Sequence, residues 1–112
     1  RTQLYRYLHG NVLILSYETA ISDQEVLKTL VQKNKTLVCF DESHYLKNIK
    51  SVRTKACLDI SEGAVKTSIF SGSPIPNRPE DIFPQLKVLG FPVGSTVQEF
   101  KCLYPDAESI RN

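Results

Sequence analysis

The stretch TLVCFDESH, residues 36–44, determines how this sequence is interpreted. Its first five residues form a short β-prone run, typical of a strand buried on both faces. Asp41 and Glu42 follow at once, and two adjacent carboxylates at the end of such a strand are costly to desolvate unless a cation or hydrogen-bond donors meet them. The stretch therefore predicts either a cation and phosphate site or a pair of acidic residues that cap the next helix.

A second polar cluster, SGSP at residues 71–74, also follows a predicted strand, which spans Ala64 to Phe70. Ser71 and Ser73 flank Gly72, so the backbone can turn tightly and the hydroxyls can donate to a carboxylate or a phosphate. A plain turn is the commoner meaning of such a string. From the residues alone, both interpretations stay open.

Predicted strands and helices alternate along the chain. Strands are expected at residues 12–15, 36–40 and 64–70. Helices are expected from the N-cap at Ser22-Asp23 to Asn34-Lys35, from Ser51 to Ile60, from Pro79 to Gly90 with a kink or a short break at Pro84, and from Ser95 to Tyr104. This alternation is typical of βαβ units on a parallel sheet, so the predicted class is α/β. Because functional residues of such sheets lie at the carboxyl ends of strands, we expect the clusters after Phe40 and Phe70 at that edge.

Composition excludes several classes of protein. The 112 residues suffice for one domain at most, and 41% hydrophobic with 23% charged residues is ordinary for a globular chain. The apolar runs are far shorter than the roughly 20 residues that cross a bilayer, so no membrane association is expected. A net charge of +2 does not indicate nucleic-acid binding. The 3 cysteines form no CxxC pair, which favours reduced, partly buried thiols over disulfides or zinc.

Three motifs in order resemble those of one family. LVCFDESHYLKN, residues 37–48, resembles motif II, the Walker B box, of Swi/Snf-type DNA-translocating ATPases of helicase superfamily two. SGSPIPN, residues 71–77, is similar to motif III, and NVLILSYET, residues 11–19, resembles the segment around motif Ib. The form SGSP-x-x-x-RP, with Arg78-Pro79 at its end, resembles the version of this motif in the annealing-helicase-like branch of the family. Ser73 and Pro76 depart from the commoner Thr and Gln.

The resemblance implies a division of labour at the first cluster. Asp41 would hold Mg²⁺, directly or through water, and Glu42 would orient and polarise the water that attacks ATP. His44 would lie near the nucleotide phosphates and relay their state to neighbouring loops. Motif III would couple the nucleotide state to DNA gripping through Ser71, Gly72 and Ser73. The implied cofactors of the intact protein are therefore ATP and Mg²⁺.

The resemblance also implies a double-stranded DNA or nucleoprotein partner, and an intracellular location in a nucleus or in a bacterial cytoplasm or nucleoid. Tyr17, Lys47 and Asn48 are the candidate DNA contacts, since phosphate contacts often come from Tyr and basic side chains. Tyr17 is equally well explained as packing at a strand end. The basic residues from Lys50 to Lys55 are more simply a solvated helix face.

No Walker A loop, G-x-x-x-x-G-K-[ST], occurs in these residues. GAVKT at residues 63–67 has one Gly, the wrong spacing, and precedes a strand instead of opening a helix. The resemblance therefore implies that residues 1–112 are the carboxyl-terminal half of the amino-terminal RecA-like lobe, a partial three-layer P-loop NTPase domain with a mostly parallel sheet. Its implied partner is the remainder of the helicase core.

Two consequences are expected of such a chain. It should not hydrolyse ATP by itself, and an unpaired apolar sheet edge should favour self-association. The alternative, from a different functional class, is a non-catalytic helicase-like module that mediates protein or DNA contacts.

Overall fold

The computed structural model describes residues 12–73 and 78–103. Asn11 of the predicted motif Ib, residues 74–77 of the predicted motif III, and Tyr104 of the last predicted helix lie outside the described residues. Within the described ranges, no helix is long and apolar enough to cross a membrane.

Two parallel strands form the sheet of the described residues. Strand β1 spans Leu37–Asp41 and strand β2 spans Lys66–Phe70, in a register that places Leu37 opposite Lys66 and Asp41 opposite Phe70. Helix α3, Val52–Ser61, connects them. Ser51 caps this helix, since its Oγ accepts a hydrogen bond from the Thr54 amide at 3.1 Å. The predicted α/β class with a parallel sheet is confirmed.

Within residues 12–36, two helices precede the sheet. Helix α2, Gln24–Lys33, begins after Asp23 and ends before Asn34, as the sequence predicts. A shorter helix, α1, spans Tyr17–Ser22 and is capped by Ser16, whose Oγ accepts from the Thr19 amide at 3.1 Å. The sequence analysis does not predict α1, because six residues carry too little periodicity to distinguish a helix from a loop.

The helices cover one face of the sheet. Val38 packs with Leu27, Val31 and Ile60 of α2 and α3, and Phe40 packs with Leu46, Cys57 and Val88. On the opposite face, which we call the open face, Leu37 is 68% and Phe70 57% exposed, and Cys39 is also exposed. The prediction of strands buried on both faces is therefore wrong for the described residues, because no element among them packs against this side.

The predicted strand at residues 12–15 is also wrong, because this segment has no regular secondary structure and pairs with no strand among the described residues. Its side chains alternate: Leu13 and Leu15 pack against the helical core, whereas Val12 is 76% and Ile14 89% exposed. This alternation of exposure along the apolar run is typical of a strand with one covered face. Among the described residues the run lacks the neighbouring strand that would complete a ladder.

Residues 78–103 contribute a further buried cluster. A 3₁₀ turn spans Pro79–Ile82, helix α4 spans Phe83–Val88, and helix α5 spans Val97–Leu103. Pro84 lies in the first turn of α4, so the predicted break falls between the 3₁₀ turn and the helix. Phe83, Val93 and Phe100 form the buried cluster of this region.

The cysteines only partly follow the prediction. Cys57 is buried, but Cys39 and Cys102 are exposed, so the expectation of partly buried thiols is correct for Cys57 alone.

Candidate functional site at the carboxyl edge of the sheet

The sheet register brings the two polar clusters to one edge. Asp41 and Phe70 are paired residues at the ends of β1 and β2. Glu42 therefore follows one strand and Ser71 the other at the same carboxyl edge. This placement agrees with the expectation for a parallel sheet.

Glu42 adopts a left-handed backbone conformation, with φ 51° and ψ 50°. It is the only described residue other than glycine with a positive φ. The Asp41 carboxylate stabilises this turn, because its Oδ1 accepts a hydrogen bond from the Glu42 amide at 3.0 Å. Left-handed backbone costs free energy for a residue with a Cβ, and such strain concentrates at functional sites.

His44 links the two clusters. It lies in a 3₁₀ turn, Ser43–Tyr45, which we call the His44 turn. Its Nδ1 lies 2.7 Å from Ser71 Oγ, and its Nε2 lies 3.4 Å from Glu42 Oε2. Ser71 Oγ also accepts from the Ser73 amide at 3.1 Å. The donor and acceptor roles at Nδ1 depend on the imidazole tautomer: with the proton on Nε2, the Ser71 hydroxyl donates to Nδ1 and Nε2–H is directed at Glu42.

A buried hydrogen bond holds the His44 turn in place. Ser43 Oγ donates to Gln85 Oε1 at 2.8 Å, and both side chains are fully buried. Buried polar groups of this kind fix geometry, because losing one partner leaves the other without compensation for its desolvation. The sequence does not predict this pair, since the two residues lie 42 positions apart.

Tyr17 packs at the strand end, the second of the two interpretations drawn from the sequence. Its hydroxyl donates to the Asp41 carbonyl oxygen at 2.6 Å, and its ring stacks on Phe40 with centroids 6.4 Å apart. Burial raises the pKa of Tyr17 to about 12, with smaller contributions from Cys57 and Asp41. A contact with DNA is untested by this geometry and stays a prediction.

Lys47 and Asn48 are both exposed beyond the His44 turn. Asn48 shapes the approach to α3, because its Oδ1 accepts from the Lys50 amide at 2.9 Å and its carbonyl accepts from the Ser51 amide at 3.1 Å. Gly72 and Ser73 are also exposed. None of these four is held close to Glu42 by a hydrogen bond, so the described site consists mainly of Asp41, Glu42, His44 and Ser71.

Arg53 is a further residue of this region that the sequence analysis assigns to a solvated helix face. Its guanidinium carbon lies 5.6 Å from the Tyr17 ring centroid and 5.4 Å from that of Tyr45. Only half of the assignment is correct, since Arg53 is half-buried whereas Lys50 and Lys55 are exposed. A lone Arg in a basic stretch carries no signal that its partners are aromatic.

The donor set of the described site fits Mg²⁺ in one respect. Mg²⁺ in nucleotide sites is typically held by one or two carboxylates, waters and the phosphates themselves, and the exposed Asp41 carboxylate supplies one such ligand. The described residues contain no group of three or more His, Cys, Asp or Glu side chains able to hold a metal alone. No glycine-rich phosphate loop, the usual cradle for nucleotide phosphates, occurs in the 112 residues.

Comparison with known proteins places these features in context. The family model described as SNF2-related domain matches residues 3–108, which is nearly the whole chain. No solved structure matches significantly.

Curated relatives match over most of this chain. A Caenorhabditis elegans SWI/SNF-related matrix-associated actin-dependent regulator of chromatin subfamily A-like protein 1 homolog is 35% identical over 91% of this chain and 14% of its own length. The Bos taurus DNA annealing helicase and endonuclease ZRANB3 is 33% identical over 80% of this chain and 8% of its own length. The Drosophila melanogaster subfamily A-like protein 1 is 33% identical over 71% of this chain and 10% of its own length. The chain thus spans about a tenth of the length of these relatives.

Proposed function

The chain belongs to the family of SNF2-related domains, and from that membership we propose that it is part of an ATP-dependent DNA translocase that remodels DNA or protein–DNA complexes. In this proposal residues 1–112 form the carboxyl-terminal half of the amino-terminal RecA-like lobe. Residues 11–19 are motif Ib, 41–44 are motif II and 71–77 are motif III. The relatives named as a regulator of chromatin and as a DNA annealing helicase support the class of activity.

The observation that carries the proposal is the strained conformation of Glu42 beside His44. A left-handed glutamate is retained at the end of β1, where its carboxylate faces His44 Nε2 at 3.4 Å and the same imidazole reaches Ser71 of the next strand. A plain acidic helix cap requires neither the strain nor the imidazole. The arrangement suits a carboxylate that must be held in one position for catalysis.

The proposed roles follow from these positions. Asp41 holds Mg²⁺ directly or through water, and the ion, when bound with ATP, supplies neutralisation of phosphate charge. Glu42 orients and polarises the attacking water. His44 senses the phosphate through its position beside Glu42 and passes the state of the site to Ser71. Motif III then couples this state to DNA gripping through Ser71, Gly72 and Ser73.

We further propose that Lys47 and Asn48 contribute to DNA binding, because both are exposed beyond the His44 turn. Tyr17 remains a candidate for a neighbouring DNA contact through the segment of chain that starts with α1. The proposed partners are double-stranded DNA or nucleoprotein and the remainder of the helicase core. An intracellular location, in a nucleus or in a bacterial cytoplasm or nucleoid, follows from a DNA substrate.

The test uses the product of the complete reading frame that contains these residues, here called the parent protein. Glu42→Gln keeps the size of the side chain and removes its charge. We expect DNA-stimulated ATP hydrolysis to fall by roughly 10²–10⁴-fold, which is the usual contribution of a positioned general base. Phosphate release with saturating duplex DNA measures the effect.

The matched control is Glu62→Gln, an exposed glutamate after α3 and away from the sheet edge. Its rate should equal that of the unmodified parent. Hydrolysis by Glu42→Gln within about twofold of this control would contradict the proposed role of Glu42. Absence of hydrolysis in the unmodified parent, with DNA binding retained, would favour the non-catalytic module instead.

A further inference from the structure

Arg53 lies against two aromatic rings that come from different parts of the chain and contact each other. Its guanidinium carbon is 5.6 Å from the Tyr17 ring centroid and 5.4 Å from the Tyr45 ring centroid. The rings meet edge to face, with centroids 6.2 Å apart and an interplanar angle of 68°. Both distances to Arg53 are within the range of cation–π attraction. We call this set of three side chains the Arg53 cluster.

The rings, more than the ion pair, hold Arg53 in place. Arg53 Nη2 lies 3.5 Å from Glu18 Oε1, but the Glu18 side chain is 75% exposed, so solvent weakens this pair. Arg53 Nε is buried, and within the described residues it has no hydrogen-bond partner. Leaving a buried donor unpaired is unfavourable, so stability alone does not explain an arginine at this position.

The Arg53 cluster contacts the candidate site at both Asp41 and His44. Tyr17 begins α1, and its hydroxyl donates to the Asp41 carbonyl oxygen at 2.6 Å. Tyr45 ends the His44 turn, and its ring lies 4.7 Å from the His44 ring, measured between centroids. Arg53 itself belongs to α3, the helix that crosses from β1 to β2. A movement of His44 therefore changes the packing of Tyr45 against Arg53, and hence of Arg53 against Tyr17.

We infer that Arg53 is a positioning residue that keeps α1 and the His44 turn in one relative arrangement. Through this arrangement, the state of the Glu42–His44–Ser71 site is passed to the segment that begins at Tyr17. The inference rests on the proposed function, because it makes α1 the recipient of a signal from a nucleotide site. It assigns a role to a residue outside the three motifs, and it gives the signal from the nucleotide site a route other than the one through motif III.

The inference depends on the shape of the guanidinium. A planar, weakly hydrated group can lie against two rings at once, whereas a lysine ammonium is compact and strongly hydrated. Arg53→Lys therefore retains the charge and loses the contact of a planar group with the two rings. Lys55→Arg is the matched control, since Lys55 is exposed on the same helix.

The first measurement is nuclear magnetic resonance of the 112-residue chain, with labelled histidine and backbone amides. Arg53→Lys should shift both the His44 ring resonances and the Glu18 and Thr19 amide resonances, and Lys55→Arg should shift neither set. A shift of the amides with unchanged His44 resonances would overturn the inference, because Arg53 would then affect α1 without affecting the His44 turn.

The second measurement is the ratio of DNA-stimulated to basal ATP hydrolysis in the parent protein. We expect Arg53→Lys to lower this ratio by at least about fivefold, the lower end of usual coupling between sites. A purely structural role would lower both rates in proportion and leave the ratio unchanged, which would overturn the inference while the proposed function stood. If the unmodified parent hydrolyses no ATP, the proposed function fails and the inference fails with it.

Discussion

At the scale of single residues, Glu42 shows what a backbone conformation adds to a motif. The sequence predicts a functional carboxylate at this position from the pattern DE-x-H, but it contains no sign of the left-handed φ. Position 42 has a glycine-like conformation and a glutamate side chain. A residue kept where glycine is preferred indicates that its side chain is needed there.

Replacing Glu42 should therefore separate stability from chemistry. Glu42→Gly and Glu42→Ala both remove the carboxylate, but only glycine adopts a φ of 51° without steric cost. We expect the glycine variant to be more stable than the alanine variant by about 1 kcal/mol. Urea unfolding followed by circular dichroism measures the difference. An alanine variant as stable as the glycine variant would show that this backbone is not strained.

Residue-level prediction fails where a partner is distant in the sequence. The roles expected of Asp41, Glu42 and His44 come from a local pattern, and the structure brings these residues and Ser71 together. The partners Gln85 for Ser43 and Tyr17 for the Asp41 carbonyl are fixed only by folding, because 42 and 24 residues separate them. Sequence periodicity contains no information about such pairs.

At the scale of secondary-structure elements, α1 and α3 each pack on the sheet through a group whose protonation affects stability. Burial raises the pKa of Tyr17 to about 12 and that of Cys57 to about 12, from ordinary values of 10.0 and 9.0. In the folded chain both groups keep their protons up to that pH, whereas in the unfolded chain they lose them near their ordinary values.

The consequence is alkaline destabilisation with a definite sign. The contribution of these groups is fully present below about pH 9 and is lost as pH rises toward about 12, because there the unfolded chain binds fewer protons. Urea midpoints measured from pH 8 upward should therefore fall. Tyr17→Phe should flatten the fall above about pH 10, and Cys57→Ala should flatten it from about pH 9. A slope unchanged in both variants would contradict this account.

Element boundaries follow the sequence where caps are present. Ser51 and Pro84 mark helix starts that local physics fixes, and α2 ends before Asn34. Burial of the strands cannot be predicted from the sequence in the same way, because an apolar run indicates only that a strand can be covered on both faces. Whether it is covered depends on elements elsewhere in the molecule, and among the described residues none packs on the open face.

At the scale of the whole molecule, the open face predicts self-association. Leu37 is 68% and Phe70 57% exposed on a sheet whose two strands each pair on one side only among the described residues. We expect the 112-residue chain to form dimers or to be marginally soluble. Light scattering over a range of concentrations tests this expectation.

A pair of substitutions locates the cause. Leu37→Thr should reduce the association, whereas Val52→Thr should not, because Val52 is equally exposed at 66% but lies on α3. A monomeric unmodified chain at high concentration would contradict the expectation. Equal effects of the two substitutions would show that the open face is not the contact.

The central claim is that this chain carries the water-activating carboxylate of an ATPase without the phosphate loop that binds ATP. The most direct measurement is phosphate release by the 112-residue chain and by the parent protein, each with duplex DNA. We predict DNA-dependent turnover by the parent and none above background by the chain. Turnover by the isolated chain that Glu42→Gln abolishes would contradict the claim.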